Sequence, residues 1–359
     1  LHPVAHSFPT RRSSDLAFFS EIFEQAPDRE FTLSGNIRGP ISKLKGKQVY
    51  MGLGQKTELL TDFSLDGLPD ISKTFMYVDM THLYTGMEDL AVINGFLPPK
   101  NRIFLPEAFD NMGRIRYKGN FTGFIDDFVA YGTVNSDLGE ISTDLLIQPR
   151  QMEGLAMNGN LKTRNFDIGG LLNNKQQVGK FSMDMQVKGS IFKDDGFQAQ
   201  TDGTIRKLEI FNYDYQNIRL NGLLTDKKYD GSLSIKDPNI QFDFSGGIDF
   251  SGEVPVFDFQ AEMAQAKLDK LNIVEEDTTA NLSFSLVSNF KGSNLDNASG
   301  SIKISRGLLI KNNKDLELDN FRIYAEHDED IHRIALESDH LDANLVGKYR
   351  STTLYQSLR

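Results

Sequence analysis

The chain has 359 residues, of which 39% are hydrophobic and 25% charged, with 26 Phe and no Trp. A formal net charge of -11 argues against nucleic acid, whose phosphates require clustered Lys and Arg, and disfavours adhesion to anionic membrane surfaces. The absence of Cys excludes disulfide frameworks, thiolate metal sites, iron–sulfur clusters and Cys nucleophiles, and no apolar run reaches the roughly 18 residues of a membrane-spanning helix.

Ser7–Leu16, SFPTRRSSDL, resembles the translation of a sequencing adapter, and residues 1–16 are set aside on that expectation. The rival is a twin-arginine export signal on Arg11-Arg12, but its apolar region, Leu16–Phe19, is too short for one. Residues 17–359 are then expected to form one continuous repetitive region, an internal piece of a longer protein. Helical periodicity is confined to Phe18–Ala26, Asp89–Phe96 and, weakly, Ala264–Val274.

Elsewhere apolar and polar residues alternate, the period of a strand with one buried face. Phe181, Met183, Met185 and Val187 alternate with Ser182, Asp184, Gln186 and Lys188. In NIQFDFSGGIDFSG (239–252), Ile240, Phe242, Phe244, Ile248 and Phe250 share one parity, and Gln241, Asp243, Asp249 and Ser251 the other. Phe257, Phe259, Ala261 and Met263 continue the pattern, followed by Leu282, Phe284 and Leu286, by Ile302 and Ile304, and by Leu316 and Leu318. Turn signals separate these runs at Asp194-Asp195-Gly196, Asp237-Pro238-Asn239, Gly252–Pro255 and Asn312-Asn313. An all-β chain of roughly 25–35 strands follows. A loose repeat recurs in it, an apolar strand with Gly near its end, a charged turn and a returning strand: FTLSGNIRGPISKLKG from Phe31, RYKGNFTGFIDDFVAYG from Arg116, VKGSIFKDDGFQAQTDG from Val187 and NFKGSNLDNASGSIKI from Asn289.

Catalytic signatures are missing. His327, His332 and His340 lie in EHDEDIHRIALESDH, the best metal candidate, but their spacing fits no helix face or standard zinc motif, and a solvated acidic turn is the better reading. Gly169-Gly170 lacks the following helix of a phosphate site, and Asp126-Asp127 and Asp194-Asp195 read as polar turns. No catalytic residue, metal site or cofactor is expected.

Several stretches resemble the TamB/AsmA-like family in its Bacteroidetes-type branch: SLDGLPDI (64–71), YKGNFTGFIDDFVAYGTV (117–134), GNLKTRNFDIGGLL (159–172), YDYQNIRLNGLLTDKKYDGSLSIKDPNIQFDFSGGIDFSG (213–252) and FKGSNLDNASGSI (290–302). The similarity runs from about Phe31 to near the C-terminus. It implies a bridge-like lipid-transfer protein: a long, curved antiparallel sheet with an open apolar groove, in the periplasm of a Gram-negative envelope. Phospholipid acyl chains would be its cargo. The inner membrane would be reached through an N-terminal anchor outside this sequence, and an outer-membrane β-barrel through a C-terminal domain also outside it. The alternative implied by the same resemblance is assembly of outer-membrane or secreted proteins by strand addition.

On this resemblance the groove lining is Phe181, Met183, Met185, Val187, Ile240, Phe242, Phe244, Ile248, Phe250, Phe257, Phe259, Met263, Leu282 and Phe284. The pattern alone leaves three rivals: a β-sandwich core, an outer-membrane barrel and an adhesive β-solenoid. Against a barrel stand the absence of Trp girdles and the irregular connections LPDISKTFMYVDMTHLYTG and GFLPPKNRIFLPEAFDN. A trough has a clear physical use. At about 0.8 kcal/mol per methylene, a two-chain lipid leaving a membrane for water loses on the order of 20 kcal/mol. Roughly 30 strands about 4.8 Å apart would carry such a trough on the order of 140 Å.

Overall fold

The computed structural model describes residues 31–348, except 54–55, 97–101, 104–105, 151–153, 194–195, 275–278, 295 and 329–330. The adapter-like stretch, the helix expected at Phe18–Ala26 and the Asp194-Asp195 turn lie outside the described residues. The chain divides into two compact units, with the boundary between Phe197 and Gln198.

Unit 1 contains β1 (Phe31–Arg38), β2 (Lys43–Leu53), β3 (Thr57–Asp66) and β4 (Phe75–Gly86). After α1 (Met87–Phe96) come β5 (Arg114–Phe124), β6 (Asp127–Ser136), β7 (Gly139–Arg150) and β8 (Gly154–Arg164). The two-residue β9 (Phe166–Asp167), the single-turn α2 (Ile168–Leu171) and β10 (Val178–Phe192) complete it. Each strand from β1 to β8 pairs antiparallel with the next, and β10 returns beside β8 and β9. The helix expected at Asp89–Phe96 is α1. Its buried Asp89 accepts from Thr57 Oγ1 at 2.7 Å, fixing the acidic first turn to the start of β3.

Unit 2 begins within β11 (Phe197–Ile210) and continues through β12 (Tyr213–Thr225), β13 (Lys228–Lys236), β14 (Ile240–Asp249) and β15 (Val256–Lys267). It then runs through β16 (Ala280–Lys291), β17 (Ser299–Lys311), β18 (Lys314–Leu318), β19 (Phe321–Asp328), β20 (Ile331–Glu337) and β21 (Ala343–Gly347). Pairing is again antiparallel between neighbours, and β17 carries both β18 and β19 along its length. The β11–β12 turn, Phe211-Asn212, and the β17–β18 turn, Asn312-Asn313, each have two residues at positive φ, as a two-residue type I′ hairpin demands.

The all-β architecture expected from sequence is present, as an open antiparallel sheet with one apolar face in each unit. Three details differ. Twenty-one strands are described, below the expected number, because many run 10–15 residues. Ala264–Val274 is not a helix: β15 continues through Lys267, and only one helix-like turn follows, with Leu271 N donating to Lys267 O at 3.1 Å. Leu316 is 48% exposed on the short β18 and does not extend the apolar row.

Candidate functional site

In unit 2 the strand register lines up apolar side chains from strand to strand. One row runs Ile218, Ile235, Phe242, Met263, Phe284. The next runs Leu220, Leu233, Phe244, Ala261, Leu286, Ile304, and a third Leu224, Tyr229, Ile248, Phe257, Phe290. Between the second and third lies a row of small residues, Gly222, Gly231 and Gly246, ending on Phe259 and Ser288. The opposite parity is polar: Gln241, Asp243, Ser245, Asp258, Gln260 and Glu262 are all exposed. Cross-strand ion pairs Lys207–Asp214 at 2.7 Å and Arg306–Glu262 at 3.2 Å decorate that face.

This apolar face is not the inside of a sandwich. No second sheet is present among the described residues. The largest fully buried side chains are Leu271, Val49, Thr61, Thr74 and Ser288; three of them are polar and donate to backbone carbonyls. Phe242, Phe257, Phe259, Phe284 and Phe290 are only half-buried. A sheet packed about 10 Å above them would have covered such rings. Phe244 is the exception at 9% exposed, and its cover is lateral: Tyr229 and Phe259 lean on it with centroids 5.8 and 5.0 Å away.

One end of the face is roofed by the chain itself. After β15 the segment Leu268–Val274 folds back as a strap, and Leu271, 1% exposed, seats on Ile240 and Ala266. Tyr213, Tyr215, Ile235, Phe242, Met263 and Leu282 pack around them, so the strap reaches across β12 to β16. Asn272 Nδ2 donates to Phe211 O at 3.2 Å, tying the strap to the β11–β12 turn. Beneath it, buried Asp237 accepts from the Tyr213 hydroxyl, from Gln216 N at 3.0 Å and from Asn239 N at 2.8 Å. Burial first, then the hydrogen bond to Asp237, push the Tyr213 phenol up to about 12.

Unit 1 has its own apolar rows: Phe63, Val78, Phe121, Ala130, Leu145, Gly159, Val187, and beside them Thr61, Met80, Gly119, Gly132, Thr143, Leu161, Met185. The polar parity is less uniform here, since Phe75, Tyr77, Phe124, Val129 and Tyr131 are exposed on it.

Both units share a device that the sequence reading missed. Tyr117-Lys118-Gly119 faces Gly132, and Tyr229-Asp230-Gly231 faces Gly222. Two opposed glycines leave a bare strip of backbone in an apolar face. In each case the tyrosine lies along it: Tyr117 Oη donates to Asn120 O and Tyr131 O, both at 3.2 Å, and Tyr229 Oη to Ser232 O at 2.7 Å and Asn221 O at 3.4 Å. Burial raises both phenols, Tyr117 to about 12. The Tyr-x-Gly spacing was the available signal.

The expected lining residues fall in both units. Phe181 meets the buried Phe166 edge-on at 6.0 Å, the Met183 amide donates to Thr163 Oγ1 at 3.1 Å, and Met185 and Val187 are buried on the apolar face of unit 1. Phe244, Ile248, Phe257 and Phe259 lie on the unit 2 face beyond the strap cluster. Ile240, Phe242, Met263 and Leu282 lie under or against the strap, and Phe284 continues the row from Met263. Phe250 follows the end of β14, 53% exposed, edge-on to Phe257 at 5.7 Å.

The other candidates are placed apart. His332 stands opposite His327 in the β19–β20 register, while the His340 ring lies 3.2 Å from Glu317 O on a different turn. No group of three or more potential metal ligands is found among the described residues. Gly169-Gly170 forms the single-turn α2, capped by Asp167 Oδ1 accepting from Gly170 N at 2.7 Å. Asp126-Asp127 sits at the β5–β6 turn, where Asp127 accepts from Gln148 Nε2 at 3.3 Å. No family model, curated protein or solved structure matches this chain.

Proposed function

We propose that the chain carries phospholipid acyl chains on its apolar sheet faces, as part of a passive lipid-transfer bridge between the inner and outer membranes of a Gram-negative cell. The observation that supports it most is the half-buried patch of Ile248, Phe257, Phe259 and Phe290, an apolar surface with no second sheet over it among the described residues. Acyl chains laid on such a surface exchange one apolar neighbour for another, avoiding the cost of entering water. Tyr117 and Tyr229 serve this function by covering backbone carbonyls that would otherwise interrupt the apolar floor. No catalytic group takes part. The family resemblance of the sequence motifs supplies the periplasmic setting and the two membranes.

The test is lipid uptake: the purified chain is incubated with phospholipid vesicles, the vesicles are sedimented, and lipid left with the protein is measured. Phe259→Asp puts a charge on the apolar face, whose desolvation opposes acyl-chain contact, and is expected to lower uptake several-fold. Gln260→Asp, on the polar face, is expected to leave it unchanged. Equal uptake by both variants would exclude the apolar face as the carrier. Strand addition to client proteins would use sheet edges instead and would be indifferent to Phe259→Asp.

A further inference from the structure

Strands β3 to β7 of unit 1 carry an exposed aromatic patch on the face opposite the apolar rows. By register, Tyr77, Thr122 and Val129 form one cross-strand row, and Asp79, Asn120, Tyr131 and Asp144 the next. On the other side of the first row, Asp66 pairs with Phe75 and Phe124 with Asp127, and the two Phe rings meet edge-on at 5.6 Å. Phe75, Tyr77, Phe124, Val129 and Tyr131 are all exposed, Tyr131 at 57%. Single exposed apolar residues are ordinary on a protein surface, but these adjoin one another, which marks an interaction surface. Asp66, Asp79, Asp127 and Asp144 surround them, all exposed, and no Lys or Arg occupies these rows between β3 and β7. Asp62 and Asp79 stand directly opposite each other, like charges whose repulsion costs stability in the free chain. Farther along the same face charge is matched, as in Lys162–Asp184 at 2.9 Å.

We infer that this patch docks a short protein segment in which Lys or Arg residues flank an apolar anchor. The anchor seats on the rings, and its cations pair with the surrounding carboxylates. They also lie over Tyr77 and Tyr131, as Arg116 already lies over Tyr84, 4.8 Å from its centroid, farther along β4 and β5. With strands about 4.8 Å apart and alternate residues about 6.8 Å apart, the patch measures roughly 19 by 14 Å, which suits a segment better than the ~800 Å² footprint of a whole domain. An anionic lipid surface or a nucleic acid would be repelled, and two copies meeting through this patch would set carboxylate against carboxylate. The inference is independent of lipid carriage by the apolar faces.

The probe is a dye-labelled peptide with Lys on either side of a central Leu-Phe pair, and its counterpart has Glu in place of Lys. Affinity is read by fluorescence anisotropy at physiological salt, which screens unspecific attraction to an acidic chain. Tyr77→Ser with Tyr131→Ser removes rings, and Asp79→Asn with Asp144→Asn removes charge. Asp243→Asn with Asp258→Asn removes the same charge from the polar face of unit 2. Circular dichroism checks that each variant is folded, and the Asp79/Asp144 pair carries the test should the tyrosine pair misfold. The expected result is several-fold weaker binding of the Lys peptide by each of the first two pairs, no change in the third, and no binding of the Glu peptide. Unchanged affinity in both patch variants, equal weakening by the unit 2 pair, or equal binding of the Glu peptide would overturn the inference. Sedimentation supplies a second measurement: a native chain that self-associates, and a Tyr77→Ser, Tyr131→Ser variant that does not, would assign the patch to a second copy and overturn the basic segment as its occupant.

Discussion

At the scale of the residue, side chains with similar hydrophobicity have different roles because their cover differs. Leu271 is enclosed by its own chain, whereas Phe259 is only half-buried and leans on Phe244 within the sheet. Leu271→Ala is therefore expected to cost about 2–5 kcal/mol, the transfer loss plus an unfilled cavity. Phe259→Ala is expected to cost roughly 1 kcal/mol, about half the transfer value of a buried Phe. Urea unfolding of the two variants measures both. Comparable large losses would mean that Phe259 is core.

Tyr213 gives a pH-dependent counterpart. Its folded pKa, about 12, lies above the usual value near 10, so below pH 10 both folded and unfolded chains hold the proton and its contribution is complete. As pH rises from 10 toward 12 the unfolded chain loses the proton first, and stability falls. The urea midpoint of the native protein should drop between pH 9 and pH 11 more than that of Tyr213→Phe. Parallel curves would show that this hydroxyl is not held as described.

At the scale of the element, the opposed glycines are closely constrained positions. A Cβ at Gly231 would stand on Asn221 O and Gly222 Cα, whereas one at Gly247, on the other face, meets only atoms at 3.7 Å or beyond. Gly231→Ala should cost about 1–3 kcal/mol as an overpacked contact, and Gly247→Ala should be neutral or gain a few tenths through the unfolded state. Tyr229→Phe should cost about 1 kcal/mol, the net worth of its hydrogen bonds. Thermal melts of the three variants order them; equal effects at 231 and 247 would contradict the close approach.

The same elements show how much the sequence made legible. From Ile240 to Phe244 parity alone assigned each side chain to its face, because a strand with one polar face permits a single register. The strap was not legible. Leu268, Leu271 and Val274 carry a three-residue period that reads as a short helix, and one helix-like turn is present. Its purpose depends on Tyr213, Tyr215 and Ile235, which are more than 30 residues earlier in the chain and contacted only through the fold. The Tyr-x-Gly pairs were missed for a related reason. Each requires a glycine on the neighbouring strand, so the spacing within one strand shows only half of the motif.

At the scale of the whole molecule, one-sided alternation recurs in both units, and among the described residues neither has the buried aromatic core that a two-sheet domain of this size would show. A chain with 26 Phe has left many rings half-covered, and among the described residues its fully buried side chains include as many hydroxyls as aliphatics. That distribution is unfavourable for a protein alone in water and favourable for one whose apolar faces are covered by a ligand. Alternation made the open sheet predictable. The occupant was not, because acyl chains and a second sheet ask the same hydrophobicity of a strand.

The most direct measurement is the lipid content of the protein itself, purified without detergent from a Gram-negative host and extracted for mass spectrometry. Phospholipid is expected at about one molecule or more per chain, falling several-fold in Phe259→Asp and unchanged in Gln260→Asp. A folded, lipid-free protein that also takes up none from vesicles would contradict the proposal that these faces carry acyl chains.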